Sequence, residues 1–196
     1  AYFDALQNGG KDINPDYVDA TKKLLHQNSV LIHNPFYHDL TDYILLPMFH
    51  ELLNHNTCLV VCGRMTNEED IIGWLKDGIT NVTNLPKLWK INKLTTVSNT
   101  SSLDIGILGF ENLYDIENLK ANKSFYEKVT FVVLLEPSNL LGTGQIGIRS
   151  IVQFCEQRNK HITYCAMDRN ADGLVDALSH VVRQSITEVI ASPTSS

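Results

Sequence analysis

Oxygen-bearing side chains alternate along residues 168–176 with the spacing of a calcium-binding loop. Asp168, Asn170 and Asp172 occupy alternate positions, a glycine follows, and Asp176 lies four residues after Asp172. Calcium prefers carboxylate and amide oxygens, so these four residues are candidate metal ligands. A serine stands at position 179, where such a loop normally ends in a bidentate glutamate. The alternative is a turn in which Asp172 caps a helix beginning near Gly173.

A glycine pattern, G-x-G-x-x-G, covers residues 142–147 and opens a predicted helix. Backbone N–H groups at the start of a helix can bind phosphate oxygens. Gly142, Gly144 and Gln145 are therefore candidate cofactor-binding residues. Five residues, 137–141, separate the pattern from Glu136 in the preceding strand, whereas a dinucleotide-binding fingerprint has a tight turn there. A flexible entry into the helix is the alternative.

Basic residues flank a tryptophan in the middle of the chain. Lys87, Lys90 and Lys93 surround Trp89, and Arg64 follows an earlier predicted strand. Cationic groups neutralise phosphates and aromatic rings stack on bases, so these five residues are candidate nucleic-acid contacts. The alternative is a solvated charged edge, with Trp89 packed in the core.

Two further groups are interpreted as structural. His33, His38, Asp39 and Asp42 follow the first predicted strand, but their spacing matches no metal signature and predicts surface polar residues. Trp74 has helical spacing with the neighbouring isoleucines, which predicts a core side chain.

The composition limits the classes of function. The 196 residues include 16 basic and 22 acidic residues, which gives a net charge of −6 and excludes a wide basic surface for nucleic acid. Eleven glycines and six prolines are too few for a disordered or collagen-like chain. No apolar run approaches the roughly 20 residues of a membrane span, so we expect no membrane insertion. Four cysteines are predicted to be core thiols in a reducing, cytoplasmic compartment.

Strands and helices alternate about six times along the chain, and this alternation must position the candidate residues. It predicts an α/β fold with three layers: a doubly wound, mostly parallel sheet of six to seven strands, RecA-like or Rossmann-like. Strands are predicted at 29–33, 57–62, around 88–91, 103–110, 129–137, 161–168 and 186–191. Helices are predicted at 16–27, 39–54, 66–78, 111–120, from about 145 to 158, and at 173–184.

The segment order resembles the first RecA-like lobe of DEAD/DEAH-box helicases over roughly residues 16–191. SVLIHNPFYHDLTDYI stands where that lobe has its phosphate loop, and TCLVVCGR at its second strand. DIGILGFENLYD takes the place of the TPG strand. FVVLLEPSNLL takes the place of the strand that ends in the DEAD/DEAH carboxylates, and ITYCAMDRN that of the SAT strand. The resemblance implies a fold built to hold ATP and magnesium.

The sequence departs from this pattern at the chemistry itself. HNPFYHDLTDY contains neither the glycines nor the lysine of a phosphate loop, and only Thr41 matches its magnesium-binding hydroxyl. Leu135 stands at the position of the magnesium-binding aspartate, and Glu136 matches the second carboxylate. Glu136 is therefore the candidate catalytic residue, and a degenerate member without cofactor is expected. ATP with magnesium, or calcium, is the weaker expectation.

Three functions follow as expectations. The first is a non-catalytic helicase-like domain that docks a partner protein or other domains of its parent. The second is a ligand- or nucleotide-binding enzyme domain that uses the carboxyl edge of the sheet, and the third is a nucleic-acid-binding lobe. The chain begins with Ala1, so we expect a domain of a longer protein, with a polar extension at 1–15, one domain at 16–191 and a polar tail at 192–196.

Overall fold

Seven strands form one sheet in the computed structural model, which describes residues 4, 8, 15–33, 40–64, 66–81, 89–96, 100–113, 115–141, 145–156 and 160–190. The strands are β1 (Val30–His33), β2 (Thr57–Val61), β3 (Ile91–Lys93), β4 (Ile105–Leu108), β5 (Val129–Leu135), β6 (Thr163–Asp168) and β7 (Thr187–Ile190). Their order across the sheet is β3-β4-β2-β5-β6-β1-β7, and every described pair is parallel. The predicted α/β sheet is confirmed.

Helices lie between most consecutive strands, because parallel strands need a crossover connection. They are α1 (Pro15–Leu25), α2 (Leu40–Leu53), α3 (Glu68–Asn81), α4 (Ile116–Ala121), α5 (Lys123–Tyr126), α6 (Ser138–Leu141), α7 (Gln145–Cys155) and α8 (Leu174–Val182), with a 3₁₀ turn at Phe110–Asn112. None of the described helices is both long and apolar enough to cross a bilayer.

Two apolar cores lie on opposite faces of the sheet, because side chains alternate along each strand. In β5, Val133 and Leu135 contact the core under α1, α2 and α3, whereas Val132 and Leu134 contact the core under α4, α5, α7 and α8. The central strands are buried on both faces and therefore read as continuous apolar runs in the sequence. The predicted three-layer arrangement is confirmed.

All four cysteines are reduced and buried, which confirms their prediction as core thiols. Cys58 and Cys62 lie at the same face of the sheet, in the core that contains Cys165. Cys155 belongs to the opposite core.

Two predictions about element boundaries are wrong. Gly78 does not end α3, which continues to Asn81. The weak strand is found at Ile91–Lys93 rather than at 88–91. Pro47 lies inside α2, which runs without a break from Leu40 to Leu53. The predicted polar segments at 1–15 and 192–196 fall largely outside the described residues.

Candidate functional site

A cavity of about 360 Å³ opens at the carboxyl ends of β2, β5 and β6, beside the first half of α3. Open parallel α/β sheets place their ligand sites at this edge, where the loops leave adjacent strands. We call it the carboxyl-edge cavity; its lining residues are Thr66, Asn67, Asp70, Trp74, Glu136, Asn139, Arg169 and Asn170.

Glu136 lies at the floor of this cavity, directly after β5. Its side chain is largely buried, and its backbone has a φ of +50°, a left-handed conformation that is uncommon for any residue except glycine. The Glu136 carboxylate accepts a 3.3 Å hydrogen bond from the Arg169 backbone N–H and lies 3.6 Å from the Arg169 Nε. The carboxylate is therefore held toward the end of β6.

Asp168 ends β6 and is fully buried. One of its carboxylate oxygens accepts a 2.6 Å hydrogen bond from the Ser138 N–H, and the other accepts a 2.7 Å bond from the Asn170 N–H. The side chain thus joins the end of β6 to the start of α6. Its two oxygens satisfy backbone donors at the edge of the sheet.

Gly63 allows the end of β2 to approach the end of β5. A Cβ atom at this position would lie 2.6 Å from the Leu135 carbonyl oxygen and 2.9 Å from the Glu136 Cβ. These distances are shorter than any ordinary contact, so the floor of the cavity requires glycine here.

Trp74 is the aromatic wall of the cavity, and its prediction as a core residue is wrong. The side chain is 37% exposed, whereas Ile71 and Ile72 are buried. At about 100° per residue, Trp74 lies roughly 100° from the centre of the stripe that Ile71, Ile72 and Leu75 form. That angular offset was available from the sequence and would have placed Trp74 at the margin of the buried face.

Asp168 is buried, unlike the other three residues predicted to bind calcium. Asp172, Asp176 and Asn170 are exposed, and the described residues contain no group of three His, Cys, Asp or Glu side chains that could hold a metal ion. The alternative was that Asp172 caps the following helix, and this is wrong. The N-cap residue of α8 is Gly173, with a φ of +69° and no side-chain hydrogen bond.

The predicted phosphate-binding residues lie mostly beyond what the structure describes. Gly142 and Gly144 fall outside the described residues, as do His38, Asp39 and Lys87. Thr41 is the second residue of α2, Asp42 follows it, and Gln145 is the first residue of α7.

Two other residues of these segments have structural contacts. Gly147 allows close packing of α7, because a Cβ atom there would lie 2.9 Å from the Leu113 carbonyl oxygen. The His33 Nε2 lies 3.1 Å from a carboxylate oxygen of Glu188 on the neighbouring strand β7.

The described basic candidates differ in their contacts. The Arg64 guanidinium lies 5.1 Å from the centre of the Phe110 ring, between the ends of β2 and β4. Trp89 stacks on Phe49 with ring centres 5.3 Å apart and packs against the core, as the structural alternative predicted. Lys90 is exposed before β3, and the Lys93 ammonium pairs with the Glu69 carboxylate.

Acidic residues dominate the start of α3, next to the cavity. Glu68, Glu69 and Asp70 form its first turn, where the positive end of the helix dipole favours them. Burial raises the pKa of the Glu68 carboxyl, and the nearby Lys93 opposes that rise. The hydrogen bond from Lys93 to Glu69 raises the pKa of the Lys93 ammonium. The carboxyl edge is therefore mixed in charge rather than basic.

Solved structures of helicases have the same fold. No protein-family model and no curated protein matches the chain. The DUF1998 helicase MrfA bound to DNA is similar to it with a TM-score of 0.75 and 14% identity over 96% of this chain and 29% of MrfA. A hypothetical ATP-dependent RNA helicase from Sulfolobus tokodaii is similar with a TM-score of 0.71 and 14% identity over 97% of this chain and 56% of that protein. The DEAD-box helicase Mss116 bound to ssRNA and UDP-BeF is similar with a TM-score of 0.68 and 16% identity over 92% of this chain and 40% of Mss116. The predicted helicase-like RecA fold is confirmed, and the chain spans about a third to a half of these proteins.

At the carboxyl edge, the side chains at the positions of the helicase carboxylate motifs have other contacts. Leu135, at the position of the magnesium-binding aspartate, is fully buried in the apolar core. The Glu136 carboxylate is turned to Arg169, and both oxygens of Asp168 accept backbone N–H groups. Residues 34–39, which occupy the position of the phosphate loop, lie outside the described residues.

Proposed function

We propose that this domain is a helicase-like RecA lobe that does not hydrolyse nucleoside triphosphates and instead docks a partner protein or another domain of its parent. The observation that carries the proposal is the pair at the end of β5. Leu135 is buried where the helicase pattern has a metal-binding carboxylate, and the Glu136 carboxylate forms an ion pair with Arg169. Phosphoryl transfer requires the metal ion and the phosphate cradle together.

The docking part of the proposal rests on the carboxyl-edge cavity. Trp74 exposes more than a third of its surface inside a concave site of about 360 Å³. Tryptophan is enriched among the residues that dominate protein–protein binding energy, because it buries a large rigid surface and has a polar N–H. The amides of Asn67, Asn139 and Asn170 supply polar groups at the rim. A side chain from a partner, packed on Trp74, fits this site.

Isothermal titration with ATP and magnesium tests the catalytic half. We expect no binding at micromolar concentrations and no phosphate release above the uncatalysed rate. Micromolar affinity, together with phosphate release that Glu136→Gln abolishes, would show an active nucleoside triphosphatase and refute the proposal.

Comparison of Trp74→Ala with Ile116→Ala tests the docking half. Both side chains are exposed and apolar, but Ile116 begins α4, on the opposite face of the sheet from α3. We expect Trp74→Ala to lose a partner that the wild-type domain captures from its native source, while Ile116→Ala keeps it. Equal capture by both variants would argue against docking at the cavity.

Nucleic-acid binding is the second candidate, and Arg64 is the residue that favours it. Its guanidinium is exposed between the ends of β2 and β4 and lies over the Phe110 ring. Among the similar structures, MrfA is bound to DNA and Mss116 to ssRNA. The acidic start of α3 and the pairing of Lys93 with Glu69 weaken this candidate.

Fluorescence anisotropy with a single-stranded oligonucleotide distinguishes the two candidates. Nucleic-acid binding predicts an affinity that falls steeply with salt and that Arg64→Gln weakens. Lys23→Gln is the matched control, because Lys23 is paired with Asp19 on α1, away from this edge. Equal affinities of Arg64→Gln and Lys23→Gln would leave docking as the better account.

A further inference from the structure

A second groove, of about 530 Å³, lies between α7 and α8, away from the carboxyl-edge cavity. We call it the α7–α8 groove. Arg149 and Gln153 line it from α7, and the end of α8 contributes Ser179, His180, Val181 and Arg183.

Among the described residues that line this groove, the ionisable side chains are all basic. Within the described ranges, no carboxylate forms an ion pair with Arg149, His180 or Arg183. This is unexpected in a chain whose net charge is −6, where acidic partners outnumber the basic side chains. Two guanidinium groups that line the same groove repel each other. An anion bound between them would attract both groups and offset this repulsion.

A favourable interaction with a helix dipole explains only some of the basic residues in the groove. His180 lies in the last turn of α8 and Arg183 is its C-cap residue, where positive charge is favourable. Arg149 is different, because it lies near the start of the neighbouring helix α7, where a cation gains nothing from the dipole. The presence of Arg149 opposite Arg183 therefore needs another explanation.

The backbone that carries these side chains is fixed. The Arg183 N–H donates to the Ser179 carbonyl oxygen, which closes the end of α8. Gln184 follows, and its side-chain amide donates a 2.6 Å hydrogen bond to the Ile162 carbonyl oxygen. Ile148 and Val152 anchor α7 in the core beneath the groove. The groove is therefore preorganised, which reduces the entropy lost when a ligand binds.

We propose that the α7–α8 groove binds an acidic segment of a partner protein, with a carboxylate held between Arg149 and Arg183. Guanidinium groups bind carboxylates through paired N–H donors, and the Gln153 amide and Ser179 hydroxyl add neutral hydrogen-bonding groups. This site is separate from the carboxyl-edge cavity and does not depend on the function proposed for that cavity.

The neighbouring surface selects a short acidic segment over a nucleic acid. A groove on the other side of α8 shares Ser179 and Arg183 but also contains Asp176 and Glu188. A nucleic acid carries a phosphate at every nucleotide, so a strand extending from the α7–α8 groove would meet these two carboxylates. A protein segment can carry its negative charge at one place only.

Fluorescence anisotropy with a labelled hexaglutamate peptide at low salt tests the proposal. We expect binding to the wild-type domain that weakens about tenfold in Arg149→Gln and in Arg183→Gln, since each removes one charged hydrogen-bonding partner. Lys23→Gln is the charge-matched control on the opposite face, and Trp74→Ala tests independence from the carboxyl-edge cavity. Both should retain wild-type affinity, and unchanged thermal unfolding should verify that the variants fold.

Three outcomes would overturn the proposal. Absence of peptide binding would do so, as would equal affinity in the arginine variants and in Lys23→Gln. If inorganic phosphate or an oligonucleotide bound through the same arginines more tightly than the peptide, the groove would be a phosphate site.

Discussion

Ser29 shows how one side chain can join three parts of the chain. Its hydroxyl donates a 2.8 Å hydrogen bond to the Gln184 side chain and accepts a 3.0 Å bond from the buried Tyr164 N–H. Gln184 in turn donates to the Ile162 carbonyl oxygen. The start of β1 is thereby fixed to β6 and to the segment that leads into β7.

We predict that Ser29→Ala lowers the free energy of unfolding by about 1–3 kcal/mol, because it leaves the buried Tyr164 N–H without its acceptor. Urea denaturation measures the change. Ser185→Ala is the control, since Ser185 is exposed, and a surface substitution of this kind changes stability by about 0.5 kcal/mol or less. Equal effects of the two substitutions would show that the Ser29 hydroxyl contributes no buried hydrogen bond.

For the individual residues of the candidate site, the sequence predicted their position in the fold but not their contacts. The ends of the apolar runs placed Glu136 and Asp168 at the carboxyl edge, where both lie. The pairing of Glu136 with Arg169 could not be predicted, because it depends on a left-handed backbone at Glu136 and on the adjacency of β5 and β6. The groove lined by Arg149 and Arg183 was missed for the same reason: its residues lie far apart in the chain.

Two glycines in α3 have opposite roles, although both occur inside the same helix. Gly78 packs against Leu45 of α2, whose buried side chain a Cβ atom at position 78 would overlap. Gly73 is exposed, and a Cβ atom there would meet nothing within 4 Å. The glycine that the sequence suggested as the end of the helix is therefore a contact between two helices.

We predict that Gly78→Ala destabilises the domain by about 1–3 kcal/mol, as overpacking of a filled core does. Gly73→Ala on the same helix should stabilise it by up to about 1 kcal/mol, because alanine has the higher helix propensity and nothing opposes it. Thermal unfolding of the two variants measures both changes. Stabilisation of the domain by Gly78→Ala would contradict the close packing of α2 and α3.

Among the helices and strands, the sequence predicted long, buried segments more accurately than short, partly exposed ones. β5 was predictable because Val129–Leu135 is a continuous apolar run between polar segments. The position predicted for β3 differed from the observed one, because only three residues form this strand and only Ile91 is buried. Its position is set by pairing with β4, where Ile91 lies opposite Ile105, and tertiary pairing of this kind leaves little signal in the local sequence.

For the whole molecule, alternation of segments predicted three layers but left the strand order open. β1 pairs with β6 and β7 rather than with β2, which lies beyond β5 and β6. This order brings the ends of β2, β5 and β6 together and creates the carboxyl-edge cavity. The cores on the two faces of the sheet together contain all four buried thiols.

We predict that the domain loses stability as the pH rises above about 9. Burial raises the pKa of Cys62, Cys155 and Cys165 from the ordinary value of 9.0 to about 12, and it raises the pKa of Cys58 in the same direction. Between these values the unfolded chain releases thiol protons that the folded chain retains. The free energy of unfolding therefore falls with pH in this window and is unaffected by the thiols below it.

Urea denaturation at intervals between pH 7 and pH 10.5 measures this loss, and Cys155→Ala provides the internal test. That variant has one fewer buried thiol, so its stability should fall less steeply with pH above 9, even though the new cavity lowers its stability at every pH. Iodoacetamide at pH 8.5 should leave the folded thiols unmodified and label all four in urea, because only the thiolate reacts. Rapid labelling of the folded domain, or a stability independent of pH up to 10.5, would show that the thiols are not shielded by the two cores.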